Sequence, residues 1–181
     1  MVERKAHVIG GGSRKRKVYH ITDLGRTECE GVVVPKRKKA GELLGNPPPK
    51  TMLQGRDSLI ESLKNKNKLI LTGLPGIGKT SLLRSISDIL VKEGKTVRFA
   101  TMESFKDINE IFTEWGLEYS SESAALQSTK NEVLILDELQ EVSLRHIGRL
   151  ESFAQKSENL IMASRGPIPI SEGFEIADIP P

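Results

Sequence analysis

One cysteine, Cys29, is all the chain contains. That excludes an internal disulfide and any zinc cluster built on cysteines. Long apolar runs are missing too: the cleanest, such as VLIL at 133–136, spans four residues. A membrane span needs ~20. The first residues lack the apolar core of a signal peptide. No internal repeat and no extended low-complexity tract interrupts the sequence. With 37% hydrophobic and 28% charged residues, these absences predict a cytoplasmic protein with no membrane segment.

The 181 residues leave room for one full domain and a fragment. The net charge of +3 is unevenly spread. Residues 1–50 hold 12 Lys/Arg against 5 Asp/Glu, whereas residues 51–181 hold 15 against 19. A basic front third points to a polyanion as its partner, most simply nucleic acid, although a solvated tail explains the charge equally well.

Strand-like runs at 2–9 and 16–21 flank GGGS. A helical turn around TDLGRTEC follows, and VVVPKRKKAGELLGNPPPK then reads as a short strand breaking into a linker, with Pro35 and Pro47–Pro49 disfavouring helix. From residue 51 the pattern changes to alternating helices and strands. Asp57 or Ser58 offers a cap to a first helix, and Ser58 with Glu61 matches a capping box. KLILTG (68–73) reads as a strand buried on both faces. Leu82, Leu83, Ile86, Ile89 and Leu90 form an apolar helical stripe ending at Gly94. Further strands are expected at 96–102, 132–137, 160–164 and 174–179, with helices at 106–116 and 143–157. This alternation predicts an α/β fold with a parallel sheet.

GLPGIGKT (73–80) matches GxxxxGK[ST] in full, between a predicted strand and a predicted helix. A chance match in a chain of this length has a probability of about 1%. Glycines at 73, 76 and 78 permit turns and close approach that side chains block. Loop N–H groups from Gly73, Leu74, Pro75, Gly76, Ile77 and Gly78 (proline excepted) through Lys79, Thr80 and Ser81 then face phosphates at a helix N-terminus. Lys79 is the candidate for the β/γ-phosphates and Thr80 for Mg²⁺. VLILDEL (133–139) places Asp137 at a strand end, a second candidate for holding Mg²⁺. Its neighbour Glu138 is the candidate base for an attacking water. LIMASRG (160–166) ends another strand in Ser164 and Arg165, candidates for contacting the γ-phosphate; polar strand ends also occur without such a role.

On LQGRD, GLPGIGKTSLL, VLILDELQ and LIMASR, residues 51–181 resemble the AAA-related and STAND-type P-loop ATPases, especially archaeal ATPases with an origin-recognition-like domain. The resemblance implies the ASCE class of P-loop NTPase, with a five-stranded parallel sheet in the order 5-1-4-3-2. It also implies ATP hydrolysis with Mg²⁺ coupled to conformational switching, and homo-oligomer formation on ATP binding. The family's segment near adenine falls on Gly55 and Arg56, with Gln54 in place of the usual Val. VERK and GGGSRKRKVYHITDLGR resemble the end of a winged-helix DNA-binding domain. That likeness implies a basic wing whose Arg14, Lys15, Arg16 and Lys17 lie along the phosphates of double-stranded DNA.

The expected organisation is therefore a winged-helix remnant at 1–34, a linker at 35–50 and a P-loop core at 51–181 without its helical lid. On these resemblances the chain begins and ends within domains. The leading functional reading is an ATPase switch linked to DNA binding or transcriptional regulation. Alternatives are a module that binds ATP or ADP without turnover, and a DNA-binding fragment. A small-molecule kinase fits less well, because an acid directly after Asp137 suits hydrolysis.

Overall fold

The structure is a computed structural model describing residues 2–7, 16–21, 41–51, 53, 55–102, 108–117, 121–170 and 172–180. It divides into two compact units, Met1–Arg37 and Lys38–Pro181. In the first, β1 (Val2–His7) pairs antiparallel with β2 (Arg16–Ile21), from Val2 opposite Ile21 to His7 opposite Arg16. The expected tip residues Arg14 and Lys15 and the expected helical turn around TDLGRTEC lie outside the described residues. Arg16 and Lys17 open β2.

The second unit holds a six-stranded sheet. Its strands are β3 (Leu43–Gly45), β4 (Lys68–Thr72), β5 (Val97–Thr101), β6 (Val133–Asp137), β7 (Leu160–Ala163) and β8 (Glu175–Asp178). The spatial order is β3-β5-β6-β7-β4-β8, with every pairing parallel. The expected 5-1-4-3-2 order is present in β8-β4-β7-β6-β5. It differs in detail, because β3 adds a sixth strand beside β5.

That strand falls in the stretch read as a linker, and Leu43–Gly45 is corrected to part of the sheet. Two glycines explain how it fits. A Cβ on Gly41 would come within 1.8 Å of the Lys95 carbonyl oxygen, and one on Gly45 within 2.0 Å of that of Phe99. Only bare backbone approaches so closely. The following prolines are tied down as well: Arg84 Nε donates to the Pro48 carbonyl at 3.0 Å and Lys50 pairs with Asp88 at 3.3 Å.

Among the described residues the helices are α1 (Asp57–Leu63), α2 (Lys79–Lys92), α3 (Ile108–Glu114), α4 (Glu122–Ser128) and α5 (Leu144–Lys156). Strand side chains alternate between two cores, as a period of two requires. Leu69, Leu71, Val97, Phe99, Val133, Ile135, Ile161 and Ala163 pack with α1 and α2. Ile70, Ala100, Leu134, Leu136, Leu160 and Met162 pack with α3 to α5. Burying each large side chain contributes roughly 1.5–3 kcal/mol. On the second face Phe112, Trp115 and Phe153 form an aromatic cluster with centroids 5.5 to 6.2 Å apart.

The Ser58–Glu61 capping box does not form. Helix α1 already begins at Asp57, whose charge sits in the first turn, and Arg56 precedes it without a side-chain cap. Caps do form at Ser121, which accepts from the N–H of Ala124, and at Ser143, which accepts from that of Arg145. Among the described residues no helix is long and apolar enough to cross a membrane.

Candidate functional site

All the strands of the sheet run the same way, so the carboxyl ends of β4, β6 and β7 open onto one rim. Three sequence-predicted segments meet there. The loop after β4 turns through glycines in conformations that side chains resist: Gly73 has φ 146°, Gly76 77° and Gly78 95°. Gly78 is the residue before α2, and among the described residues no atom beyond the chain neighbours lies within 4 Å of a Cβ built on it or on Gly76. Their bare faces open onto a cavity of about 280 Å³ lined by Pro75, Gly76, Gly78, Lys79, Thr80, Ser81, Glu138 and Arg165. Leu74 stands exposed on the crest, while Ile77 tucks against the core below.

Lys79 is only 6% exposed. Its ammonium donates to the carbonyls of Gly73 at 2.7 Å and Leu74 at 3.0 Å, which fixes the charge against its own loop. Asp137 ends the fully buried strand β6 and is 1% exposed. Burial pushes its carboxyl above the ordinary range, against hydrogen bonds from the Thr80 hydroxyl and the Glu138 N–H. Thr80 and Asp137 thus join two hard oxygen donors across two elements. This set fits Mg²⁺, which is held by one or two protein oxygens together with substrate phosphates rather than in a protein cage. Among the described residues no group of three or more His, Cys, Asp or Glu is placed to hold a metal.

Glu138 has φ 56° and ψ 43°. It is the one non-glycine residue with positive φ among the described residues. Such a conformation costs of order 1–3 kcal/mol and turns the side chain off the strand axis. Its carboxylate accepts from the Arg165 guanidinium at 3.0 Å and from the Gln140 amide. Gln140 in turn accepts from the Arg165 N–H at 3.0 Å. Of the two candidates after β7, Arg165 lines the cavity and Ser164 does not. Ser164 is 1% exposed, and its hydroxyl has no hydrogen-bond partner.

Gly55 is exposed with open space around it, and Arg56 Nη2 donates to the Pro180 carbonyl at 3.4 Å, just past β8. Sequence reasoning missed Gln140 and also Thr51, whose hydroxyl donates to that of Ser81 at 2.9 Å. A larger cavity of about 640 Å³, mostly apolar, adjoins through Arg165 and runs over Ile70, Ile168 and Ile176.

A parallel sheet whose first core strand feeds a glycine loop and a helix N-terminus, with an acidic pair ending a central strand, defines a P-loop NTPase fold. The model of the Novel STAND NTPase 3 family matches residues 53–168, and the chain belongs to that family. Among solved structures it is similar to AMPPCP-bound DnaA from Aquifex aeolicus, with 19% identity and a TM-score of 0.50 over 71% of this chain and 48% of that one. It is also similar to a Signal Transduction ATPase with Numerous Domains (STAND) protein from Pyrococcus horikoshii that carries a tetratricopeptide repeat sensor. There the identity is 13% and the TM-score 0.51, over 81% of this chain and 25% of that one. The chain therefore spans about half the length of the first and a quarter of the second. No curated protein matches the sequence.

Proposed function

We propose that the chain binds ATP with Mg²⁺ and hydrolyses it to ADP and phosphate. The observation that carries this is the meeting of Lys79, Thr80 and Ser81 with Glu138 and Arg165 around one cavity, with the buried Asp137 beside Thr80. Loop N–H groups and Lys79 hold the phosphates, and Thr80 and Asp137 hold Mg²⁺, which screens their charge when bound. Glu138 accepts a proton from water as that oxygen attacks the γ-phosphorus and the bond to the ADP oxygen breaks. Arg165 serves as the γ-phosphate contact, with Ser164 buried behind it at the end of β7, and Gly55 and Arg56 flank the adenine. Glu138→Gln should abolish phosphate release while ATP still binds. Turnover unchanged in that variant would remove Glu138 from the chemistry.

A second reading, binding without turnover, is supported by the two bonds that already engage the Glu138 carboxylate. Wild-type protein that binds ATP and releases no phosphate would favour it. We further propose that the nucleotide state is coupled to DNA binding or transcriptional regulation through the basic front of the chain, as a winged-helix remnant at 1–34 joined to the core. The excess of Lys/Arg there and the β1–β2 hairpin support that reading. A DNA affinity insensitive to salt would refute it. ATP-dependent self-association and a cytoplasmic setting belong to the same proposal.

A further inference from the structure

Gln140 lies two residues past Glu138, in the 3-10 turn Leu139–Glu141. Its side-chain amide uses both ends. The Nε2 donates to Glu138 Oε2, and the Oε1 accepts from the Arg165 N–H at 3.0 Å. The Arg165 guanidinium closes the ring by donating to the same Glu138 Oε2 at 3.0 Å, and it also reaches Glu141 at 3.8 Å. Carboxylate, amide and guanidinium thus form one clamp. Two of its members, Glu138 and Arg165, line the loop cavity.

We propose that Gln140 is a positioning residue that sets how strongly the site distinguishes a nucleoside triphosphate from a diphosphate. This deepens the nucleotide reading given above and rests on it. Arg165 carries a single charge that Glu138 already shares. A third phosphate in the cavity competes with Glu138 for the guanidinium, whereas a diphosphate is one group shorter and makes no such demand. With the Arg165 side chain 45% exposed, its ion pair is weak by itself. The hydrogen bonds of Gln140, one of them to a charged carboxylate, supply the rest of the grip. Opening the clamp hands Arg165 to the triphosphate and leaves the Glu138 carboxylate free to accept a proton. Recognition of the third phosphate and release of the base become one event.

The test is calorimetric titration of the full chain with AMPPCP and, separately, ADP, both with Mg²⁺, for wild type, Gln140→Ala and Gln140→Leu. Leucine keeps most of the side-chain volume and makes neither hydrogen bond. Both variants should bind AMPPCP about threefold to tenfold more tightly, with ADP changed by less than about twofold. Equal changes for the two nucleotides, weaker AMPPCP binding, no change, or wild-type behaviour restored by leucine would each overturn the proposal. So would loss of the fold in both variants, because Gln140 would then be structural. Wild type that binds neither nucleotide would bring down the nucleotide reading and this inference together. Wild type that binds both, with an unmoved AMPPCP-to-ADP ratio in the variants, would bring down the inference alone.

Discussion

Gly78→Ala separates what the loop costs the fold from what it does for a ligand. Gly78 has φ 95° and ψ 25°, a conformation that glycine adopts freely and alanine does not. A left-handed alanine costs about 1–2 kcal/mol. Among the described residues no atom beyond the chain neighbours lies within 4 Å of the added Cβ, so no steric clash adds to that figure. A penalty of about 1 kcal/mol lowers the melting temperature of a unit this size by about 3 °C. The methyl group is added instead at a residue that lines the loop cavity. If that cavity cradles phosphates, ATP affinity should fall more than tenfold, which exceeds 1.4 kcal/mol. Differential scanning calorimetry and titration with Mg²⁺-ATP on the same preparation read both quantities. A melting temperature lowered by more than about 10 °C would show that the site is not sterically open. Unchanged ATP affinity would show that phosphates do not lie against Gly78.

Two other perturbations probe the scaffold. Burial pushes the Asp88 carboxyl up, but bonds from Arg84 and Lys50 outweigh it and hold the group below its ordinary value of 3.8. A depressed folded pKa gives stability that is present above the unfolded value and lost as pH falls through the folded one. Asp88→Asn should therefore lower stability at neutral pH and flatten its fall below about pH 4; an acid limb identical to wild type in urea unfolding would refute the assignment. Gly45→Ala would put a methyl group 2.0 Å from the Phe99 carbonyl oxygen at φ 90°, detaching β3. Hydrogen exchange at the Asn46 and Val97 amides, which bond to Phe99 and Glu42, should accelerate, and unchanged protection there would contradict the edge-strand packing.

Much of this architecture is written locally. The run KLILT, the three loop glycines and the stripe Leu82, Leu83, Ile86 and Leu90 each satisfy a short-range rule, and the tertiary structure agrees with all of them. VLILD reads as a doubly buried strand for the same reason. What escapes the sequence lacks a local pattern. Strand β3 is only three residues, Leu43–Gly45, and its pairing depends on close approach of Gly41 and Gly45 to Lys95 and Phe99. Helix α4 buries only Ala125, so ESAALQS shows no apolar stripe. The Gln140 clamp joins residues 25 positions apart that meet only because β6 and β7 are adjacent in the sheet. The left-handed turn at Glu138 carries no glycine to announce it.

The central claim is that the loop from Gly73 to Ser81 holds a nucleotide through Lys79. The most direct test is calorimetric titration of the chain with Mg²⁺-ATP beside Lys79→Ala, with circular dichroism confirming that both are folded. The account predicts saturable binding by wild type and its loss in the variant, because the ammonium now held by the Gly73 and Leu74 carbonyls is then unavailable to the phosphates. Equal binding by the two proteins, or none by folded wild type, would contradict it.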